Sequence, residues 1–277
     1  MFALATTFVS CMHSPPRQDR AAPPAAATLS ARKSVVFVVA IDGVRLRDVF
    51  EGPEKSRAGS DAFANRESLV PELMRIERDG AVLGAPGGSG FYASGPNFVS
   101  LPGYMEILSG TSETGCTEND CKTMRQPTLL DEYFAQSGDP SRAGVFASWS
   151  PIARAAAGAQ GSGVVSAGPH AGVHLDYLAE QPHCSSALER GRNDVDHHGL
   201  RRDDTTAELA LGFLRDAHPS FVFVSLGSTD EHAHLDDYRG YLEALHRADH
   251  WVGRFRAALE DLERSGVDAT LLVTTDH

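Results

Sequence analysis

Three apolar, strand-like runs in this sequence each end on an aspartate, at Asp42, Asp230 and Asp276, and two of the three have a histidine at ligand spacing. Asp230 and His234 are four residues apart, which puts both on one face if the turn is helical. Asp276 and His277 are adjacent, and both can reach one ion where the backbone curls at a strand end. Carboxylate plus imidazole is an ordinary zinc shell and also suits manganese. His232 would point away from the Asp230–His234 face and stays outside the set. Between the first two aspartates, residues 97–110 read Asn-Phe-Val-Ser-Leu-Pro-Gly-Tyr-Met-Glu-Ile-Leu-Ser-Gly. Ser100 stands where a Gly/Ser-rich run meets a segment predicted helical over 102–108, with Pro102 in its first turn. Alone, that is a common N-cap arrangement. Facing a metal cluster from a helix N-terminus, the same hydroxyl would be acidified and able to attack phosphorus. Each piece is weak by itself; in this order they are specific.

The elements that must position these side chains can be read from the apolar pattern. Residues 34–40, Ser-Val-Val-Phe-Val-Val-Ala, are continuously apolar and β-branched, as a strand covered on both faces should be, and run through Ile41 into Asp42-Gly43. Residues 45–67 read as a loop, 69–78 as a helix ending near Gly80, and 81–83 as a short strand. The Gly-rich run 84–95 reads as a lead-in to the Ser100 turn. Further on, 129–136 reads as a helix, 143–147 as a strand and 151–157 as a short helix. Periodicity fades over 158–199, which reads as a weakly structured excursion on the substrate side or a mobile insert. Its histidines, His170, His174, His183, His197 and His198, lack ligand spacing and read as surface residues first and substrate contacts second. Helical spacing returns over 203–216, a second buried strand spans 221–226, and a long amphipathic helix covers 236–265 before Gly266. Residues 270–274 form the last strand. Strands alternating with helices predict an α/β domain with a mostly parallel sheet and helices on both faces; its sites form at the carboxyl ends of the strands.

The 277 residues, 42% of them hydrophobic, suffice for a sizeable core. A formal net charge of −12, with basic residues unclustered, argues against a nucleic-acid partner, and no apolar run reaches the length of a membrane span. Residues 1–10 are apolar and small and lead into Phe-Val-Ser-Cys11, which looks like a bacterial lipoprotein signal without its basic start. A weak secretory signal or a plain tail are the other readings. The Pro/Ala-rich segment 15–32 suits a tether, so residues 1–33 are expected to precede a catalytic domain over 34–277, exported to the periplasm or cell envelope and anchored through Cys11. Cys116 and Cys121 bracket a polar loop and can close a disulfide; Cys184 reads as a buried thiol.

With these motifs the chain resembles the alkaline phosphatase superfamily, nearest its type I phosphodiesterase/nucleotide pyrophosphatase-like branch. The carriers are Val-Ala-Ile-Asp-Gly at 39–43, Ser-Leu-Pro-Gly-Tyr with Ile-Leu-Ser-Gly within 100–110, Ser-Thr-Asp-x3-His at 228–234 and Thr-Thr-Asp-His at 274–277. The resemblance implies two divalent metal ions, zinc first and manganese as the other candidate. One would be held by Asp42, Ser100, Asp276 and His277, the other by Asp230, His234 and a histidine farther downstream. Ser100 stands where the family has its Thr or Ser nucleophile. Asn119 is the nearest match to the family's asparagine near the phosphoryl oxygens, an ordinary turn asparagine being the other reading. Tyr104 stands where a sulfatase motif would need Arg, which argues against sulfatase chemistry.

The implied function is hydrolysis of phosphodiesters, or of phosphate esters broadly, through a phosphoseryl intermediate on a small-molecule substrate. The alternative is an exported, non-catalytic binding protein that keeps the fold. The sequence stops on His277, so the domain is expected to be C-terminally truncated, with weak metal binding at Asp230 and His234 and poor activity, unless a histidine from 158–199 completes that shell.

Overall fold

The computed structural model describes residues 33–58, 63–88, 90–95, 98–156, 161–196 and 199–277. The chain divides into two units, Met1–Ala31 and Arg32–His277. The expected signal, Cys11 and the tether up to residue 32 lie outside the described residues, as do His197 and His198.

In chain order the elements are β1 (Ser34–Ile41), α1 (Leu46–Phe50), α2 (Lys55–Ala58), α3 (Arg66–Leu69), α4 (Pro71–Asp79) and α5 (Ser100–Ser109). They continue with α6 (Leu129–Ser137), a 3-10 turn (Pro140–Arg142), β2 (Ala143–Ala147), α7 (Ile152–Ala156), β3 (Val164–Ala167), β4 (Ala171–Val173) and α8 (Leu175–Glu180). Then come α9 (Ser185–Gly191), α10 (Asp203–Ala217), β5 (Phe221–Leu226), α11 (Ser228–His234), α12 (Tyr238–Arg264) and β6 (Asp268–Thr274). Among the described residues the strands form one sheet in the order β4-β3-β2-β5-β1-β6. All its pairings are parallel except β3 with β4.

The continuous apolar run of β1 is explained by burial on both faces. Val35, Phe37, Val39 and Ile41 pack with Phe213 of α10 and with Trp251, Val252 and Phe255 of α12. Val38 and Ala40 pack on the other face with Leu101, Tyr104, Met105 and Leu108 of α5 and Ile152 of α7. Each such side chain contributes about 1.5–3 kcal/mol on leaving water, so β1 is fixed from both sides. The α/β class with helices on both faces, expected from the sequence, is the fold of this chain. The connection after β1 uses both faces, α4 packing against α12 and α5 against the opposite side, while that after β5 returns through α12. The carboxyl ends of β5, β1 and β6 are where open α/β sheets of this kind form their sites.

Some local expectations are corrected. Residues 158–199 are not weakly structured, because β3, β4, α8 and α9 all lie there. β3 is only Val-Val-Ser-Ala, too short to show periodicity, and it is ordered by pairing with β2 and by a buried cation. Arg201 donates to the Ser166 hydroxyl at 2.8 Å, the Ala147 carbonyl at 2.9 Å, the Ser166 carbonyl at 3.0 Å and the Thr206 hydroxyl at 3.0 Å. Residues 45–67 hold α1 and α2 and the start of α3; these helices are four or five residues long, below one apolar repeat. The helix expected over 69–78 is α4, which starts two residues later with Pro71 in its first turn, Leu69 being the end of the separate α3. Residues 81–83 are exposed and form no strand. Helix α5 starts at Ser100, two residues before the expected start, with Val99 as its N-cap and no side-chain cap bond, so Ser100 does not cap it.

Candidate active site

Asp42 follows β1 and stays in step with β5, its N–H donating to the Leu226 carbonyl at 3.0 Å. The chain then turns through Gly43 at φ +60°, where a Cβ would sit 2.5 Å from Asp230 Oδ1. Only glycine allows both the left-handed turn and that approach. Asp230 is brought there by α11, whose first turn is tied to β1 by the Thr229 hydroxyl donating to the Asp42 carbonyl at 2.5 Å. The buried Asp203 carboxylate accepts the Gly227 N–H at 2.9 Å and the Ser228 N–H at 3.1 Å, fixing where α11 begins. Asp276 follows β6, and its Oδ1 accepts the Gly43 N–H at 3.3 Å. Helix α5 reaches this strand end because residue 103 is glycine: a Cβ there would lie 2.4 Å from the Asp276 carbonyl oxygen.

These elements converge on His277. Its Nε2 lies 3.3 Å from Ser100 Oγ, 3.6 Å from Asp42 Oδ1, 3.7 Å from Asp276 Oδ2 and 3.9 Å from Asp230 Oδ1. Donor atoms of Asp42, Asp230 and His277 all fall within 4.8 Å of one another. His234 stands on the rim, 73% exposed, with Nε2 3.1 Å from Asp230 Oδ2. His232 turns away to Asp237 Oδ2 at 3.0 Å, as its spacing predicts.

The donor set fits a divalent cation. Asp42 Oδ1 and Asp276 Oδ2 are buried acceptors that no hydrogen bond satisfies. Burial first, then the negative charges of Asp276 and Asp230, holds the Asp42 carboxyl well above the usual carboxylate range. Burial also pushes Asp276 up, against the opposing pull of His277. Carboxylates crowded in this way stay ionised where a cation shares the site.

Tyr104 of α5 orients the free oxygen of Asp42. Its hydroxyl donates to Asp42 Oδ2 at 2.9 Å and accepts from the Ser225 hydroxyl at 2.9 Å. Burial, and then Asp276 and Asp42, raise the Tyr104 phenol well above its ordinary value, so it remains a neutral donor. Tyr104, Thr229 and Asp203 were not singled out as site residues from the sequence; Tyr104 was one turn after Ser100, and that spacing was the available signal.

Asn119 lies beside the start of α5, and its Oδ1 accepts the Leu101 N–H at 2.9 Å. The disulfide Cys116–Cys121 is formed across the loop that carries it. Cys184 is a buried thiol, pushed up to about 12 mainly by burial. Of the histidines of 158–199, His183 pairs with Asp216 and His174 with the Gly161 carbonyl, both away from this cluster.

No protein-family model matches the chain, and no curated protein does either. Solved structures do. Phosphonoacetate hydrolase from Sinorhizobium meliloti 1021 in complex with phosphonoacetate matches with TM-score 0.55 at 17% identity, over 89% of this chain and 56% of that one. The same enzyme with phosphonoformate matches with TM-score 0.53 at 16% identity, again over 89% and 56%. The chain thus spans little more than half the length of these structures. The likeness is one of fold, and it agrees with the α/β architecture with a mostly parallel sheet expected from the sequence.

Proposed function

We propose that this chain is a metal-dependent hydrolase of phosphorus esters in which Ser100 is the nucleophile. The observation that carries the reading is the position of Ser100 Oγ. It lies in the first turn of α5, 3.3 Å from His277 Nε2, and faces a cluster in which two buried carboxylate oxygens lack hydrogen-bond partners. Asp42, Asp276 and His277, with Ser100, would hold one divalent ion, and Asp230 with His234 would hold a second. Zinc suits these donors and manganese is the alternative. Such ions, when bound, supply Lewis-acid charge that acidifies a hydroxyl and stabilises a leaving oxygen.

The chain's own residues supply the rest. Ser100 Oγ attacks phosphorus in line with the ester oxygen; the Oγ–P bond forms as the P–O bond to the leaving group breaks. Water then attacks the phosphoseryl group and the Ser100 hydroxyl is restored. The dipole of α5 favours a negative phosphoryl group at its start. Of the N–H groups there, that of Leu101 is taken by Asn119 and that of Gly103 by the Val99 carbonyl, and Pro102 has none. With its Oδ1 on the Leu101 N–H, Asn119 keeps its amide N–H groups for a phosphoryl oxygen. Tyr104 holds Asp42 in one rotamer, and Gly43 and Gly103 let three strand ends meet.

Phosphodiesters or phosphate esters broadly are the substrate class the motif resemblance suggests. The structures sharing this fold bind phosphonoacetate and phosphonoformate, which supports small phosphonates as a second class. In these the P–C bond would break in place of P–O, the leaving carbon taking a proton from water. The test is a panel of an aryl phosphate monoester, an aryl phosphodiester and phosphonoacetate, each with zinc and with manganese. Ser100→Ala should lower turnover of the accepted substrate by more than about a thousandfold with the circular dichroism spectrum unchanged. Near-wild-type turnover in that variant would remove Ser100 as the nucleophile. Bound metal with no hydrolysis of any substrate would favour a non-catalytic binding protein.

A further inference from the structure

Residues 111–128 join α5 to α6 without helix or strand, and Asn119 in their middle is exposed. An exposed loop asparagine has no burial to fix it, yet this one must stay against the start of α5 to keep its bond to Leu101. Two devices outside the carboxylate cluster hold it. The Cys116–Cys121 disulfide closes a five-residue separation around Asn119, with a Cα–Cα distance of 5.7 Å. Both cysteines are half-buried and pack on the cluster that contains Leu101, Tyr104, Met105 and Leu108 of α5.

The second device is Arg154 of α7. One guanidinium nitrogen donates to the Cys121 carbonyl at 2.6 Å and the other to the Asn119 carbonyl at 3.1 Å. Its own carbonyl accepts the Met124 N–H at 2.9 Å, so the loop is gripped at three residues. A planar fork can bridge two carbonyls at once, which an ammonium point charge does less well. Helix α7 shares a hydrophobic cluster with α5 through Ile152 and Ala155. Loop, disulfide, arginine and nucleophile helix therefore rest on one base, the face of the sheet covered by α5 and α7.

We propose that the Cys116–Cys121 disulfide and Arg154 are a positioning device for Asn119, so that opening the S–S bond slows the hydrolase at its chemical step. This rests on the roles assigned above to Ser100 and Asn119. Cleavage by an added phosphine gives two thiols, the phosphine being oxidised to its oxide with oxygen from water. The freed loop regains conformational entropy and the Asn119 side chain spends less time at the phosphoryl group. The carboxylate cluster, built on β1, β5 and β6, is untouched, which separates this device from one that merely supports the fold.

The experiment uses the full chain loaded with manganese, because freed thiolates would compete for zinc. kcat and KM are measured on the ester accepted in the panel, before and after phosphine reduction, with opening of the 116–121 bond confirmed by mass spectrometry. Arg154→Ala and the Cys116→Ser/Cys121→Ser pair are compared with it, each in the Asn119 and Asn119→Ala backgrounds. kcat should fall roughly tenfold on reduction and in both variants, with KM and manganese content unchanged. In the Asn119→Ala background the same changes should cost less than about twofold. Unchanged kcat after confirmed reduction overturns the proposal. An equal fall in both backgrounds, or loss of the folded circular dichroism signal on reduction, overturns it too by assigning the disulfide to stability alone. An enzyme that needs Ser100 but ignores reduction keeps its nucleophile and loses the clamp; one that does not need Ser100 loses both.

Discussion

Tyr104 shows how little room single residues have at this site. Its phenol links Asp42 to Ser225 inside a fully buried environment, donating to one and accepting from the other. Tyr104→Phe would keep the ring packed edge-on against Phe223 but leave a carboxylate oxygen and a hydroxyl without that partner. An unsatisfied buried polar group costs about 1–3 kcal/mol, so the variant should unfold at lower urea and bind metal more weakly. Equal urea midpoints for the two proteins would show that water replaces the phenol. Asp42, Asp276 and His277, which follow strands, and Ser100 and Asp230, which open helices, were legible because the apolar pattern marks such places. His234 ends α11 and was reached only by its spacing from Asp230. Tyr104 and Thr229 were not legible. Their importance comes from partners 62 and 187 residues away, and no local spacing encodes that.

At the scale of elements, β1, β2 and β5 could be read because strands covered by helices carry unbroken apolar runs. β6, an edge strand with alternate residues exposed, could be read from its own apolar residues. β3 and β4 escaped for a physical reason: strands of four and three residues take their order from β2 and from Arg201, not from their own sequence. The start of α5 was misplaced because a Ser before Pro imitates a cap, whereas its hydroxyl is directed to His277. The glycine one turn in explains how α5 and β6 meet. Gly103 is helical, so its need for glycine is one of space: the obstruction is the Asp276 backbone carbonyl, which no side-chain rotation can relieve. Gly103→Ala should therefore push α5 from the strand end, destabilising by about 1–3 kcal/mol as overpacked cores do and separating Ser100 from Asp276. Urea titration and turnover of the same preparation check this together. A variant as stable and active as wild type would mean that the strand end yields freely.

For the whole molecule the site is where the fold stores like charge. Three aspartates from three parts of a chain of net charge −12 are drawn together at the junction of β1, α11 and β6. Folding without a cation must hold them out of water, so burial drives Asp42 and Asp276 toward their neutral forms, and the charges of Asp276 and Asp230 push Asp42 further. A divalent ion binding only the folded chain reverses that penalty and adds stability by mass action, about 2.7 kcal/mol when the free ion is a hundred times its Kd. The chelator-treated protein should thus melt lower than the same sample with zinc or manganese restored, and sodium chloride at equal ionic strength should not substitute. Asp42→Asn separates the two effects. It removes one buried charge but keeps an acceptor for the Tyr104 hydroxyl, so its metal-free form should be at least as stable as metal-free wild type. The same variant should gain little from added metal. If metal leaves the wild-type melting temperature where it was, or if Asp42→Asn gains as much as wild type, the ion is not what this cluster of carboxylates is built to hold.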